Sequence, residues 1–111
     1  MRIWYRVSDL EAARAFYRDA LSFTETFLDE DERWASLDRG ATEIAIGEAD
    51  DAGDPEGQVA TIDVTDVKAE RERLAAAGVE VGTVFELTGE MRLLDVFDPD
   101  GNRIQLAEDL S

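Results

Sequence analysis

Apolar and polar positions alternate along Arg2-Ile3-Trp4-Tyr5-Arg6-Val7, the two-residue period of a half-buried strand. The period then changes. Leu10, Ala13, Tyr17, Ala20 and Leu21 recur at helical spacing. Ser8 with Glu11 three residues on supplies a capping-box start for that helix. Phe23–Asp29, Trp34–Asp38 and Glu43–Gly47 read as three short strands, joined by the acidic turn Glu30-Asp31-Glu32 and by Arg39-Gly40. The same order begins again at Val59–Val64. A helix follows from Val67 to Ala77, with Val67, Leu74 and Ala77 inward and Gly78 as its stop. Glu80–Phe85, Met91–Phe97 and Arg103–Ala107 then read as strands, the last two joined by the turn Asp98-Pro99-Asp100-Gly101.

The two halves are one pattern stated twice. A shift of 57 residues lays Val7 on Val64, Asp9 on Asp66, Ala12 on Ala69 and Ala20 on Ala77 (66 − 9 = 57). Such a period marks a repeated supersecondary unit. The expected fold is α+β: two βαβββ modules forming a curved, mostly antiparallel sheet with the helices on its convex face. Module one covers residues 1–47 and module two residues 58–111 of a single domain. Residues 48–57, with Asp50, Asp51, Asp54 and Pro55, are a polar linker. Alternation sends Ile3, Tyr5, Val7, Leu37, Ile44, Ile46, Ala60, Ile62, Val64, Ile104 and Leu106 beneath the helices. The opposite face receives Arg2, Trp4, Arg6, Trp34, Ser36, Glu43, Ala45, Val59, Thr61, Asp63, Arg103 and Gln105. A core face would not carry so many polar groups. Its mixture of aromatic, charged and small side chains suits a concave binding surface.

Charge narrows the partners. The chain has 27 acidic and 11 basic residues, a net charge of −16. That field repels phosphates, so neither nucleic acid nor an anionic membrane is an expected partner. No apolar run is long enough to span a bilayer, and Arg2 leads into a strand without a secretory pattern; the expected location is the cytoplasm. Cysteine is absent, which removes disulfides and thiol chemistry, and histidine is absent too. Lys68 is the single lysine among the basic residues. Carboxylate loading with few lysines fits a salt-loving source, and it equally fits an acidic protein of a GC-rich genome.

Two segments resemble the glyoxalase/bleomycin-resistance/extradiol-dioxygenase superfamily, also called the vicinal oxygen chelate fold. Residues 7–23, from Val7-Ser8-Asp9 through Phe16-Tyr17 to Leu21-Ser22-Phe23, are similar to its V-x-D-x-x-x-(S/A)-x-x-F-Y-x-x-x-L-G-F opening. Asp98-Pro99-Asp100-Gly101-Asn102-Arg103-Ile104-Gln105-Leu106 is similar to its D-P-D-G-N-x-I-E-L ending. The resemblance implies two βαβββ modules, a homodimer, and modules that combine within one chain or by exchange between chains. Metal-using relatives bind a divalent cation through four side chains, two per module. The resemblance places those positions at Arg2, Val59 and Gln105, with the fourth near Ala45. Arg cannot ligate a cation, Val and Ala carry no donor, and Gln105 alone cannot hold a metal. No metal and no cofactor are therefore expected, and no catalytic residue can be named.

Other readings of the same residues stay open. Carboxylates such as Glu43, Asp63, Asp95 and Glu108 could rebuild a cation site, although chance proximity is expected in so acidic a chain. Asp29-Glu30-Asp31-Glu32 and Asp50-Asp51 lack the glycine-spaced pattern of a calcium loop and read as solvated turns. Arg2, Arg6 and Arg103 suit an anionic ligand, but internal pairing with Glu43, Asp63 or Asp95, or contact across a dimer, is the plainer expectation. Trp4 and Trp34 either stack a planar ligand or fill the floor of the cup. The functional expectation is a metal-free protein that binds a small organic molecule, with Trp4, Trp34, Glu43, Thr61, Asp63, Asp95 and Gln105 as the lining. The alternative is a metal-dependent lyase or dioxygenase with an atypical site. A subunit whose cup is plugged by Trp4 and Trp34 is the third.

Overall fold

Two open sheets, one from each half of the chain, share a single core in the computed structural model, which describes residues 2–54 and 56–111. Met1 and the linker residue Pro55 lie outside the described residues. The first half contains β1 (Ile3–Val7), α1 (Leu10–Ala15), a π-helical turn (Phe16–Ala20), β2 (Thr24–Asp29), β3 (Trp34–Arg39) and β4 (Thr42–Glu48). The second contains β5 (Ala60–Asp63), α2 (Val67–Ala76), β6 (Glu80–Val81), β7 (Phe85–Leu87), β8 (Met91–Phe97) and β9 (Arg103–Asp109). Sheet order is β1-β4-β3-β2 in one half and β5-β9-β8-β6 in the other, with β7 also on β8. In each sheet the first strand runs parallel to the last, and the remaining pairs are antiparallel.

The helix starts obey the repeat and correct one detail. Asp9 rather than Ser8 caps α1: its Oδ1 accepts the Ala12 N–H at 3.1 Å. Its counterpart Asp66 caps α2 in the same way, accepting from Ala69 at 3.0 Å. A carboxylate there satisfies an otherwise orphaned N–H and suits the positive end of the helix. Glu11, expected to close a capping box, is drawn away to Arg33 by a two-pronged ion pair, a stronger partner than a backbone N–H. The expected strand over residues 80–85 is two short ones. Between them the Gly82 N–H donates to Asp95 O and its carbonyl accepts from Arg71 Nε.

The core faces match the alternation. Tyr5, Val7, Leu37, Ile44, Ile46, Ala60, Ile62, Ile104 and Leu106 are buried, and Ile3 and Val64 pack half-buried against them. Leu10, Ala13, Tyr17 and Leu21 of the first helical segment and Val67 and Leu74 of α2 join that core with Phe23, Ala35, Leu94 and Val96, whereas Ala77, expected inward, lies exposed past the end of α2.

Buried polar ties help lock the halves together. Tyr5 OH donates to Arg103 O at 2.7 Å and accepts from Ala60 N at 2.8 Å; burial pushes its hydroxyl up to about 12. Tyr17 OH donates to Asp98 Oδ2 at 2.8 Å, and burial first, then the Asp98 charge, raises Tyr17 well above an ordinary tyrosine. Glu70 of α2 sits between Arg39 and Arg73, at 3.0 and 2.6 Å. Burial raises its carboxyl, but the two guanidinium groups outweigh that and hold it below the ordinary glutamate value.

Glu25 gives the cleanest pH test. Arg14 grips it at 2.6 and 2.9 Å in a mostly buried fork, and this hydrogen bonding lowers its pKa from 4.5. The folded value lies below the unfolded one, so the pair stabilises fully above pH 4.5 and loses its contribution as pH falls through the folded value. Glu25→Gln is expected to cost about 1.5 kcal/mol at neutral pH, or about 5 °C in Tm. It should also shrink the drop in Tm between about pH 5 and pH 3. Parallel Tm–pH curves for the two proteins would remove Glu25 from the acid transition.

Candidate functional site

The first sheet's open face is built by register. Residues paired directly across strands share a face, so Trp4 stands with Ala45, Ser36 with Ala45 and Phe27, and Trp34 with Gly47 and Asp29. Trp34 is the centre of an aromatic row. Its ring centroid lies 5.2 Å from that of Trp4 and 5.1 Å from that of Phe27, with interplanar angles of 43° and 44°. Trp4 is 53% exposed and Phe27 50%. The row packs over Gly47, where a Cβ would meet the Trp4 ring at 3.7 Å and Trp34 Cβ at 4.0 Å, ordinary contact distances. Ala45 and Ser36 are buried on this face yet lie outside the shared core, as small residues beneath large neighbours do.

Phe27 was not among the expected lining residues. Strict alternation from buried Phe23 would send Phe27 inward, but a bulge between Glu25 and Phe27 reverses the faces. Asp38 and Glu43 stand directly opposite one another on this same face, and neither forms an ion pair among the described residues. At one edge, a cavity of about 350 Å³ lies between Trp4 and the linker, walled also by Arg6, Asp54, Gln58 and Asn102. Arg6 pairs with Asp51 at 2.9 Å and Asp54 at 4.0 Å, not with Glu43, Asp63 or Asp95. The linker folds back on β1, where Gly53 N–H donates to Arg6 O, and so brings its own carboxylates to the guanidinium.

The second sheet's open face carries the rest of the expected lining. Asp95 and Gln105 are cross-strand partners, and Thr61 stands beside Gln105. Asp95 and Gln105 wall a cavity of about 210 Å³ together with Thr83, Phe85 and Leu93, all from this half. Phe85 is 58% exposed and Leu87 40%. Arg103 reaches Asp95 at 3.4 Å, as internal pairing required, while its Nε is buried without an acceptor among the described residues. Asp63 is exposed and forms no ion pair there. The expected lining therefore divides into two groups: Trp4, Trp34 and Glu43 on one sheet, Thr61, Asp63, Asp95 and Gln105 on the other.

Register also aligns the two halves at the positions that the family resemblance implies for a cation. Trp4 pairs with Ala45 as Thr61 pairs with Gln105, and Trp4 and Thr61 are equivalent by the 57-residue shift (61 − 4 = 57). Ala45 is thus the counterpart of Gln105. Arg2 precedes β1 and Val59 precedes β5. Together these four implied positions, Arg2, Ala45, Val59 and Gln105, present one amide oxygen as donor, a set that does not fit a divalent cation. The carboxylates Glu43, Asp63, Asp95 and Glu108 do not gather into a substitute. Glu108 faces away, accepting from Val67 N and pairing with Arg92. Among the described residues the compact acidic trio is Asp9, Glu11 and Glu48. Asp9 is the α1 cap, and Arg33 bridges Glu11 and Glu48 at 2.7 and 3.0 Å. Hydrogen bonding to Arg33 lowers both glutamates.

A family model described as the glyoxalase/bleomycin resistance protein/dioxygenase superfamily matches residues 2–106. The chain belongs to that superfamily. Among similar solved structures is a superfamily member from Sphaerobacter thermophilus, 26% identical, with TM-score 0.80 over 97% of this chain and 94% of that one. The fosfomycin resistance protein FosX from Listeria monocytogenes, solved with Mn(II) and sulfate, is 21% identical, with TM-score 0.81 over 98% and 88% of the two chains. Lactoylglutathione lyase from Agrobacterium tumefaciens is 20% identical, with TM-score 0.76 over 97% and 91%. At such identities the last two establish the superfamily's fold and nothing finer. A comparison with curated proteins found no match. No helix among the described residues is long and apolar enough to cross a membrane.

Proposed function

We propose that this superfamily member is a small-molecule binding protein that works without the cation of its metal-using relatives. The observation that carries the reading is the donor set at the four equivalent positions, Arg2, Ala45, Val59 and Gln105. Losing that set removes the Lewis acid, whereas the open faces keep what a ligand needs: exposed aromatic surface and a few oriented polar groups. The two faces belong to separate sheets, so a complete cup calls for a second copy of the chain, with the aromatic face of one protomer opposing the Asp95–Gln105 face of its partner. Exposed Phe27, Trp4, Phe85 and Leu87 supply the apolar surface such an assembly would cover.

Elemental analysis tests the reading directly. The protein, incubated with Mn²⁺, Ni²⁺, Zn²⁺ or Fe²⁺ and then dialysed, is expected to retain less than about one tenth of an equivalent per chain. Stoichiometric metal lost on Gln105→Ala would favour the metal-dependent lyase or dioxygenase instead. Sedimentation of the same samples is expected to give a dimer.

A further inference from the structure

A cavity of about 340 Å³ lies where the end of the π-helical turn, the end of α2 and the end of β8 meet, and we infer that it takes a small primary ammonium with a single-ring apolar body. It shares no lining residue with the cavities beside Trp4 and Asp95, so it is a site separate from the cup. Ala20 and Ala77, equivalent under the 57-residue shift (77 − 20 = 57), both line it, and their small side chains leave the room. Phe16, Val79, Phe97 and Pro99 form its apolar wall. That wall is held in place. Phe16 meets Tyr17 edge-on with ring centroids 5.1 Å apart, and Arg73 Nη1 donates to Ala20 O at 3.1 Å, fastening the π-helical turn to α2. Val79 N–H donates to Leu74 O at 3.0 Å, and Glu80 then pairs with Phe97 on β8. A Cβ at Gly78 would meet nothing within 4 Å, in keeping with open space at the end of α2.

Two carboxylates give the cavity its sign. Asp98 is buried, and its four donors carry no charge: Tyr17 OH, Asn102 Nδ2 and two backbone N–H groups. Glu80 stands exposed at the rim. Neither forms an ion pair among the described residues. A buried carboxylate held by neutral donors keeps its charge uncompensated, and that charge acts strongly through a wall of low dielectric. The end of α2 adds the negative pole of its helix. An ammonium is compact and carries three N–H donors. Glu80 accepts from it, while Asp98, whose oxygens are occupied, attracts it through its field. The ring covers the apolar wall. An anion of the same shape meets the negative field of the whole chain.

Backbone amide shifts of the isotope-labelled full chain locate the ligand. The protein is titrated at physiological ionic strength with benzylammonium, benzyl alcohol and phenylacetate. Saturable shifts are expected at Ala20, Gly78 and Val79, with benzylammonium at a dissociation constant of about 1 mM. Benzyl alcohol should bind about tenfold more weakly and phenylacetate more weakly still. Ala77→Leu, at an exposed position past the end of α2, fills the cavity from its rim and should weaken benzylammonium about tenfold or more. Glu80→Gln should erase most of the preference for benzylammonium over benzyl alcohol while leaving the alcohol unchanged. Glu30→Gln removes the same charge from the acidic β2–β3 turn and should change nothing. Equal losses from the two glutamate variants would overturn the inference, because bulk charge alone would explain them. Equal affinity for the ammonium and the alcohol would overturn the ligand class. Binding that survives Ala77→Leu unchanged, or no saturable shift with any probe, would overturn the site. Shifts confined to the indole N–H signals of Trp4 and Trp34 would overturn it too and leave the cup standing.

Discussion

Asp98→Ala is expected to lower the unfolding free energy by about 3–4 kcal/mol, read from urea unfolding at neutral pH. Asp98 is 4% exposed and its carboxylate is fully used. Oδ1 accepts from the Asp100 and Asn102 backbone N–H groups, and Oδ2 accepts from Tyr17 OH and Asn102 Nδ2. Removing it strands the buried Tyr17 hydroxyl and part of the Asn102 amide, each of which costs its own desolvation. It also loosens a wider joint. Asn102 Nδ2 donates to Arg6 O, and its Oδ1 accepts from Asp54 N, so the turn at 98–102 ties the π-helical turn, β1 and the linker together. Tyr17→Phe should cost less, about 1–1.5 kcal/mol, because the ring packing against Tyr5, Phe16 and Phe23 survives. In a double-mutant cycle the two losses should fall short of additive by about 1 kcal/mol. A loss below about 1 kcal/mol for Asp98→Ala would show that the halves are held by apolar packing alone.

Gly53→Ala should be the second costly change, at about 3 kcal/mol. Gly53 has φ of +88°, and a Cβ there would collide with the Asp100 carbonyl oxygen, a backbone atom that cannot swing aside. Gly40→Ala is the matched control. Its φ is +60° with nothing near the added Cβ, so only the conformational term remains, about 1 kcal/mol. Equal losses for the two would mean that the linker shifts freely away from the turn. A large loss at Gly53 with altered tryptophan emission would place the linker as a rigid wall beside Trp4.

The Asp98 network changes how the terminal motif reads. In the sequence, Asp98-Pro99-Asp100-Gly101 is a turn, and turn chemistry accounts for it: Asp98 Oδ1 holds the two N–H groups of its own loop. The other oxygen faces a tyrosine 81 residues earlier in the chain. Nothing local marks that second role. The same holds for Arg33, whose φ of +60° and position after an acidic turn suggest a loop residue, yet its guanidinium joins Glu11 of α1 to Glu48 at the end of β4.

The sequence by itself determined the repeat and most of the strand faces, because each rests on short-range rules, while the structure moved the cap of α1 from Ser8 to Asp9. Side chains alternate across a strand, helical faces recur every three to four residues, and an aspartate at a helix start accepts the N–H three residues on, as Asp9 and Asp66 both do. Its resemblance to the superfamily implied that the cation positions of metal-using relatives fall on Arg2, Val59 and Gln105, with the fourth near Ala45. Tertiary structure decided the rest. The β1–β4 register aligned Ala45 with Gln105, an equivalence that loops of unequal length blur in the sequence. A single bulge put Phe27 on the open face, against strict alternation. The separation of the lining into two faces was likewise invisible in the chain order: it follows from two sheets that spend their inner surfaces on one common core and turn their remaining surfaces outward.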